Sequence, residues 1–499
     1  MAAIPRVIIL GGGLAGLAAA IRLAEAGCDV EVLEKRPVLG GRASSFLPPG
    51  GAEPIDNCQH VLLGCCTNLL DFFRRAGTAD RFRFYNRFLF HGPGGVSAVG
   101  AASLPAPFHL LPSLVSFQDL TWRDRWAIAR AMLAILRDGG SQAAASSDAP
   151  PDEPMLDWLQ RQRQTPQAIE YFWRAVLTSA LNEDLERVSS RHALHVFWEA
   201  FLRNRRGYRM GVPTTALGDL YSSDLLNRTC RVCLGTPVAR LVVSGKRIQT
   251  IALPSGEERA ADFYLSAVPP DALARLLPAP QLAEWPALER LAQLEWSPIT
   301  GIHLWFDRPI TELEHTAILG RTIQWLFNKS LIARREIGSP EGAVRSDVSR
   351  AKPSEAEGPV RSEVEGHYVQ LVVSASRSLM TLRRDEIIER VLGEVRELFP
   401  ASRAAKLLKA VVVKEAESTI SFPPGSDALR PGPETPLANL FLAGDWTATG
   451  WAPTMEGAVR SGYRAAECVM AAAGSPQQFL VPDLPTAPLA RWLRRSGKR

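Results

Sequence analysis

The stretch RVIILGGGLAGLAAAIRLAEAGCDVEVLEK, residues 6–35, leaves few folds open to the chain. Val7 to Leu10 is an unbroken aliphatic run, the pattern of a parallel strand buried on both faces. Gly11, Gly13 and Gly16 follow in the order G-x-G-x-x-G. Leu14 to Ala26 then reads as a helix rich in Ala and Leu and stopped by Gly27. Asp29 to Leu33 reads as a second strand, ending at Glu34. The first glycine permits a sharp turn, the second lets backbone approach a pyrophosphate, and the third lets helix and strand pack closely. The helix start offers unpaired N–H groups and the positive end of its dipole to phosphates. Glu34 lies 18 residues after Gly16, where a carboxylate accepts hydrogen bonds from a ribose hydroxyl. Strand, glycines, helix and acid in this order predict a dinucleotide site.

Two further stretches decide which dinucleotide. EKRPVLGGRASSF, residues 34–46, places Arg36, Gly40, Gly41 and Arg42 after the acid. NLFLAGDWTATGWAPTMEGAVRSGYRAAE, residues 439–467, reads as a short strand, a Gly-Asp pair at 444–445, a loop, and a helix from about Met455. Together they resemble the fingerprints of the FAD-binding amine oxidase and phytoene desaturase superfamily. That resemblance implies FAD, held by Gly11, Gly13, Leu14, Ala15 and Gly16, by Glu34 and Lys35, and by Gly41 and Arg42 near the pyrophosphate. It puts Gly444 and Asp445 at the ribityl end and Thr454, Met455 and Glu456 beside the ring. The β-rich stretch 229–270, with turns at Ser244-Gly245 and Ser255-Gly256, matches the segment of that superfamily whose valine touches the adenine, here Val238.

The expected fold is therefore α/β: a Rossmann-like FAD-binding domain built from discontinuous segments, plus a mixed α+β substrate domain. The FAD domain is assigned to residues 1–90, 211–270 and 406–475. The substrate domain is assigned to 91–210, mostly helical, and 271–405, its sheet part. Residues 139–154 read as a linker, 338–366 as a disordered insertion, and 476–499 as a basic tail. In 155–210, Trp158, Trp173, Trp198 and Phe201 read as core aromatics. LPAPFHLLPSLVSF, 104–117, is apolar and proline-broken, either a buried loop or a membrane-facing lip at a tunnel mouth.

Seven unframed cysteines point to a reducing compartment, and "MAAIPRVIIL" lacks the basic region and cleavage site of a signal peptide. No apolar run reaches the ~18 residues of a membrane span. The net charge of +5 lies in the last nine residues, which hold five basic and no acidic side chains. Without them the 57 basic residues fall to 52, equal to the 52 acidic, so nucleic acid is not an expected partner. The tail reads as a solvated, disordered end or, through Trp492 and Leu493, as a contact with anionic lipid.

DNCQHVLLGCCTN, residues 56–68, gathers Cys58, His60, Cys65 and Cys66. Their spacing matches neither C-x₂₋₄-C nor H-x₃₋₅-H, so no metal site is expected. Asp56 and His60 read as an acid–base pair or as a histidine holding local structure. The stretch resembles one branch of the superfamily, the squalene-associated FAD-dependent desaturases or hydroxysqualene dehydroxylases. SPITGIHLWFDRPI, 297–310, and QWLFNKS…HYVQLVVSASR share that resemblance, which spans nearly the whole chain. It implies removal of the hydroxyl of hydroxysqualene, a C30 allylic alcohol, to give squalene for hopanoids. It makes the cysteines pocket walls and His60 a flavin-side residue. The reaction calls for one acid, with His60 or Asp56 as proton donor, Glu456 behind them, and hydride from reduced FAD. His303 reads as a core histidine or a cavity residue. The expected partners are a long apolar isoprenoid, a peripheral contact with the inner face of the cell membrane, and prenyl synthases of the same pathway, from a cytoplasmic location. A carotenoid-type desaturase is the alternative. An amine oxidase is disfavoured because the strand at 297–306 lacks the lysine many of them place near the flavin. A non-catalytic flavin-bound partner of a prenyl synthase is a third reading.

Overall fold

The computed structural model describes residues 4–48, 53–138, 152–221, 230–334 and 366–496. The linker at 139–151, the insertion at 338–365 and the terminal residues 497–499 lie outside the described residues. Strand Arg6–Leu10 is central to a five-stranded, all-parallel sheet. Its neighbours are Asp29–Leu33, then Arg231–Cys233, on one side, and Phe263–Ser266, then Leu440–Leu442, on the other. These strands come from three distant parts of the sequence. Each is too short to bury its backbone alone, so the sheet forms only when all three segments meet. Helix Leu14–Glu25 packs on it, and helix Met455–Ala472 packs on that helix. The crossing is close because Gly462 has no side chain: a Cβ there would stand 2.2 Å from the Ala15 carbonyl oxygen. The expected discontinuous α/β domain is thus observed. Residues 240–259 form a small three-stranded antiparallel sheet beside it.

A seven-stranded mixed sheet forms the second unit, in the order Leu407–Ile420, Trp296–Phe306, His367–Ser374, Trp325–Phe327, His315–Ile318, Arg87–Gly92 and Gly95–Gly100. Its long second strand, Trp296–Phe306, is buried from Thr300 to Phe306. Two segments assigned by sequence to FAD binding contribute strands here. Leu407–Ile420 pairs with Trp296–Phe306 over most of its length, and Arg87–Gly92 pairs with His315–Ile318. Both are drawn in by β-branched and aromatic side chains that complete this sheet.

Helices between residues 111 and 202 cover the other side of the cavity described below. Trp158, Trp173 and Trp198 are core residues, as expected, whereas Phe201 lines the cavity. The tail departs from the expected disordered end: Pro488–Ser496 is a helix packed on helix Trp122–Asp138. Ala490 is fully buried there while Trp492 is 62% exposed, so one face of the tail is anchored. No helix among the described residues is long and apolar enough to cross a membrane.

Candidate active site

A cavity of about 1570 Å³ opens between the two units. Ligand sites usually measure ~300–1,000 Å³, so this one has room for more than one such ligand. At one end it is walled by the glycine loop. Gly11 has φ +104°, a turn that side-chain-bearing residues rarely adopt. A Cβ at Gly13 would meet nothing nearer than Gly41 Cα at 3.9 Å, leaving room for a ligand to lie against bare backbone. Helix Leu14–Glu25 has no side-chain cap, and Leu14 and Ala15 line the cavity, so the first N–H groups of the helix remain for a phosphate. Gly16 does not line the cavity. A Cβ there would fall 2.1 Å from the Gly11 carbonyl oxygen, so it serves close packing.

Glu34 lines the same end beside Lys35 and takes backbone N–H bonds from Gly12 (2.7 Å) and Arg36 (2.8 Å). Gly41 lies against Gly13, and Arg42 spans the chain to Asp445, Nη2 to Oδ1 2.5 Å. This ion pair joins the two fingerprints predicted from opposite ends of the sequence. The Gly444–Asp445 turn is held from behind. Gly444 N–H donates to Ser461 Oγ (2.7 Å), and buried Arg430 donates to the carbonyls of Asp445 and Thr447. Val238, Gly444 and Asp445 line the cavity, and so do Thr454, Met455 and Glu456 at the start of helix Met455–Ala472. The loop, the uncapped helix end, the bare Gly13 and the Arg42–Asp445 bridge fit a dinucleotide with its pyrophosphate over the glycines.

The 56–68 stretch divides. His60, Cys65 and Cys66 line the cavity; Asp56 does not. Asp56 and His60 are not hydrogen-bonded to each other; each has its own partners. Asp56 accepts from Ser45 Oγ (2.8 Å), Leu217 N–H (2.9 Å) and Lys329 Nζ (3.3 Å), a buried structural set. His60 Nδ1 bonds the Cys58 carbonyl oxygen at 3.0 Å, and an N–H there must be the donor. Burial keeps the ring below the usual histidine range. With Nδ1–H committed to the Cys58 carbonyl, the geometry of His60 leaves Nε2 as the acceptor of the neutral ring, which does not favour it as the proton donor. Burial raises Cys58 to about 12 and, with the Cys66 contact first, raises Cys65 strongly, so these thiols are not thiolates. No group of three or more His, Cys, Asp or Glu side chains converges for a metal among the described residues. His303 is a core residue: fully buried, off the cavity wall, with Nδ1 2.6 Å from Tyr368 Oη.

Glu199 and His195 are cavity residues that sequence reading passed over. Both sit in an aromatic-rich helical stretch, HVFWEAFL, where an acid among aromatics was the available signal. From there the cavity continues between Phe88, Phe90, Phe172, Val176, Phe197 and Phe201 to Phe108, Leu111, Leu114 and Trp126. Phe108, Leu111 and Trp126 are also exposed, Trp126 by 75%, so residues 104–117 are both wall and outer lip.

The family model described as flavin containing amine oxidoreductase matches residues 14–470. A 15-cis-phytoene desaturase of Synechococcus elongatus is 29% identical over 486 residues, 93% of this chain and 96% of the relative. A zeta-carotene desaturase of Zea mays is 28% identical over 490 residues, 92% and 82% of the two chains. Among solved structures, an oxidoreductase from Methanosarcina mazei superposes with TM-score 0.65 at 16% identity, covering 92% of this chain and 98% of that one. Cyclohexylamine oxidase from Brevibacterium oxydans gives 0.64 at 16% identity, covering 95% and 99%. The two structural likenesses carry the fold. With the dinucleotide cradle and the family match over most of its length, this chain belongs to the flavin containing amine oxidoreductase family and is an FAD-dependent oxidoreductase.

Proposed function

We propose that the substrate is a long linear isoprenoid and that the reaction is reductive removal of the hydroxyl of hydroxysqualene to give squalene. The observation that carries the substrate class is the cavity: a slot walled by aromatic and aliphatic side chains running from the cofactor residues to an exposed apolar lip. FAD, when bound and reduced, supplies the two electrons and the hydrogen. The chain's own residues do the rest. Phe88, Phe172, Phe197 and Phe201 exclude water and align the apolar substrate. His60 and Glu199 offer polar atoms on the wall of the slot. The resemblance of DNCQHVLLGCCTN to the hydroxysqualene branch supports dehydroxylation, and part of that stretch forms the cavity wall.

Carotenoid-type desaturation is the second reading, and the relatives favour it: a phytoene desaturase and a zeta-carotene desaturase match over 92–93% of this chain. Both reactions fit a slot of this shape. Anaerobic incubation of the photoreduced protein with hydroxysqualene separates them. Squalene formed in step with flavin reoxidation is expected. Desaturation of a polyene by the oxidised protein, with hydroxysqualene untouched, transfers the case to the second reading.

A substrate of this class partitions into bilayers, since each buried CH₂ is worth ~0.8 kcal/mol. A peripheral membrane attachment at the cytoplasmic face is proposed through the lip, Trp122, Trp126 and the tail helix with Trp492, all exposed. Association with prenyl synthases of the same pathway belongs to the same proposal. Flotation with anionic liposomes at low salt is expected, and loss of it in a Trp122→Ser, Trp126→Ser, Trp492→Ser variant. Flotation unchanged in that variant refutes the surface.

A further inference from the structure

Arg430 ends the short segment 425–430, with 2% of its side chain exposed and its guanidinium 5.3 Å from the centre of the Phe422 ring. One nitrogen, Nη2, donates to two main-chain oxygens of the cofactor turn, Asp445 at 2.9 Å and Thr447 at 2.7 Å. The other, Nη1, donates to Asp427 Oδ1 at 2.9 Å. Burying a guanidinium is costly unless its charge is paired and its N–H groups are bonded. Here Asp427 supplies the counter-charge and the turn supplies the acceptors. A planar fork that spans a carboxylate and two carbonyls cannot be copied by the single ammonium of a lysine.

Segment 425–430 is tied in turn to the substrate side. His192 Nε2 lies 3.2 Å from the same Asp427 Oδ1, and a carboxylate oxygen only accepts, so that nitrogen carries the hydrogen. Burial works against the charge of Asp427. The His192 bond and the Arg430 guanidinium nevertheless hold its carboxyl well below the ordinary carboxylate range, so it is ionised at neutral pH. Gly425 N–H donates to Asp152 Oδ2 at 3.1 Å, while Asp152 Oδ1 accepts from Ser189 Oγ at 2.6 Å. Ser189 stands at the N-cap of helix Ser190–Val196, which carries His192. The far end of that helix puts His195 and Val196 on the cavity wall. A run of hydrogen-bonded groups therefore leads from a wall of the substrate cavity to the back of the cofactor turn.

The peptide geometry shows what this does to the turn. Asp445 presents its carboxylate to Arg42 and its carbonyl to Arg430, so the residue is held between two guanidiniums. The Asp445–Trp446 peptide is planar and trans, so fixing the Asp445 oxygen also fixes the direction of the Trp446 N–H on its opposite side. Asp445 and Trp446 both line the cavity at the cofactor end. Asp445 and Thr447 are buried, and removing the guanidinium leaves their carbonyls without this donor, so the turn must shift to find others.

We propose that Arg430 is a cofactor-positioning residue: it sets the 444–447 turn for FAD, and Asp427 with His192 braces it from the substrate helix. This role depends on FAD binding alone and stands whichever substrate the cavity accepts. Arg430 touches neither substrate nor cofactor. It acts through the main chain of Asp445 and Thr447, as Arg42 acts through the Asp445 side chain.

The test compares the FAD-loaded full chain with Arg430→Lys and Asp427→Asn. FAD release on dilution is followed by flavin fluorescence, and the setting of the flavin that stays bound is read by its visible circular dichroism. Neither readout needs a substrate, so a wrong substrate assignment leaves both intact. Arg430→Lys keeps a cation beside Asp427 but loses the fork, and hydrogen bonds from a charged donor are lost with it. FAD is expected to bind roughly 10–100-fold more weakly, with altered dichroism. Asp427→Asn keeps Arg430 and is expected to show a smaller change in the same direction. A merely structural role would lower the melting temperature of the variants and leave the affinity and dichroism of the folded protein as in wild type. FAD affinity of Arg430→Lys within threefold of wild type, or unchanged dichroism, overturns the proposal. Should Arg430→Lys fail to fold, Asp427→Asn decides it: wild-type affinity and dichroism in that variant overturn the proposal.

Discussion

Gly462 sits where helix Met455–Ala472 crosses helix Leu14–Glu25, and an added methyl there has nowhere to go. Its Cβ would lie 2.2 Å from the Ala15 carbonyl oxygen and 3.1 Å from Ala18 Cβ. Ordinary contact begins near 3.4 Å, so one helix must retreat by more than 1 Å, and the obstacle is backbone that cannot rotate away. Overpacking of this kind costs ~1–3 kcal/mol, and a backbone obstacle puts Gly462→Ala near the upper end, about 3 kcal/mol. A cooperative unit of ~150–250 residues loses ~2–4 °C per kcal/mol, so its melting temperature should fall by roughly 6–12 °C. Ala15 also lines the cavity in the first helical turn, where the pyrophosphate would lie, so FAD should be held more weakly. The control is the same substitution at Gly393, exposed in helix Arg384–Leu398 with nothing within 4 Å of its added Cβ. There alanine should be neutral or stabilising by up to ~1 kcal/mol. Differential scanning fluorimetry, with FAD release measured on the same samples, reads both. If Gly462→Ala melts within 2 °C of wild type and keeps its flavin, the close crossing does not hold the cofactor domain together.

Three further expectations follow from particular contacts. Gly13→Val should fold, because Gly13 has φ −79° and its Cβ meets only Gly41 Cα, at an ordinary contact distance of 3.9 Å, yet it should purify without flavin because the side chain would occupy the space expected for the cofactor; a yellow variant refutes this. Asp56→Asn should cost stability, by ~3–5 kcal/mol for a broken buried ion pair, because Lys329 loses its counter-charge. Wild-type stability with lost turnover would instead return Asp56 to the chemistry. His303 is held to about 3 by burial, against 6.5 when unfolded. Between these values the unfolded chain binds the extra proton, so this residue's share of stability is present above pH 6.5 and is lost as pH falls. Lowering the pH from 7 to 5 should cost wild type ~2 kcal/mol more than His303→Gln, and equal denaturation midpoint shifts for the two proteins refute the assignment.

The cofactor cradle was legible in the sequence because its demands are local. A turn needing positive φ at Gly11, a bare Gly13 and a packed Gly16 are requirements on consecutive residues, and so are Gly444 and Asp445 at the other end. The strands and helix starts around them follow from short apolar runs and glycine breaks. Tertiary structure decided the rest. Asp56 looked like a candidate acid until Ser45, Leu217 and Lys329 arrived from other segments to occupy it. The tail looked disordered from its charge, but Ala490 found a buried seat against helix Trp122–Asp138. Leu407–Ile420 joined the mixed sheet because its pairing partner is more than a hundred residues away in sequence. Glu199 was marked in HVFWEAFL only as an acid among aromatics. Its ion-pair surroundings depend on Arg203 meeting Asp483, 280 positions along the chain, and on Arg460 sharing that same carboxylate. A buried network of ion pairs belongs to the assembled fold, and no segment holds it alone.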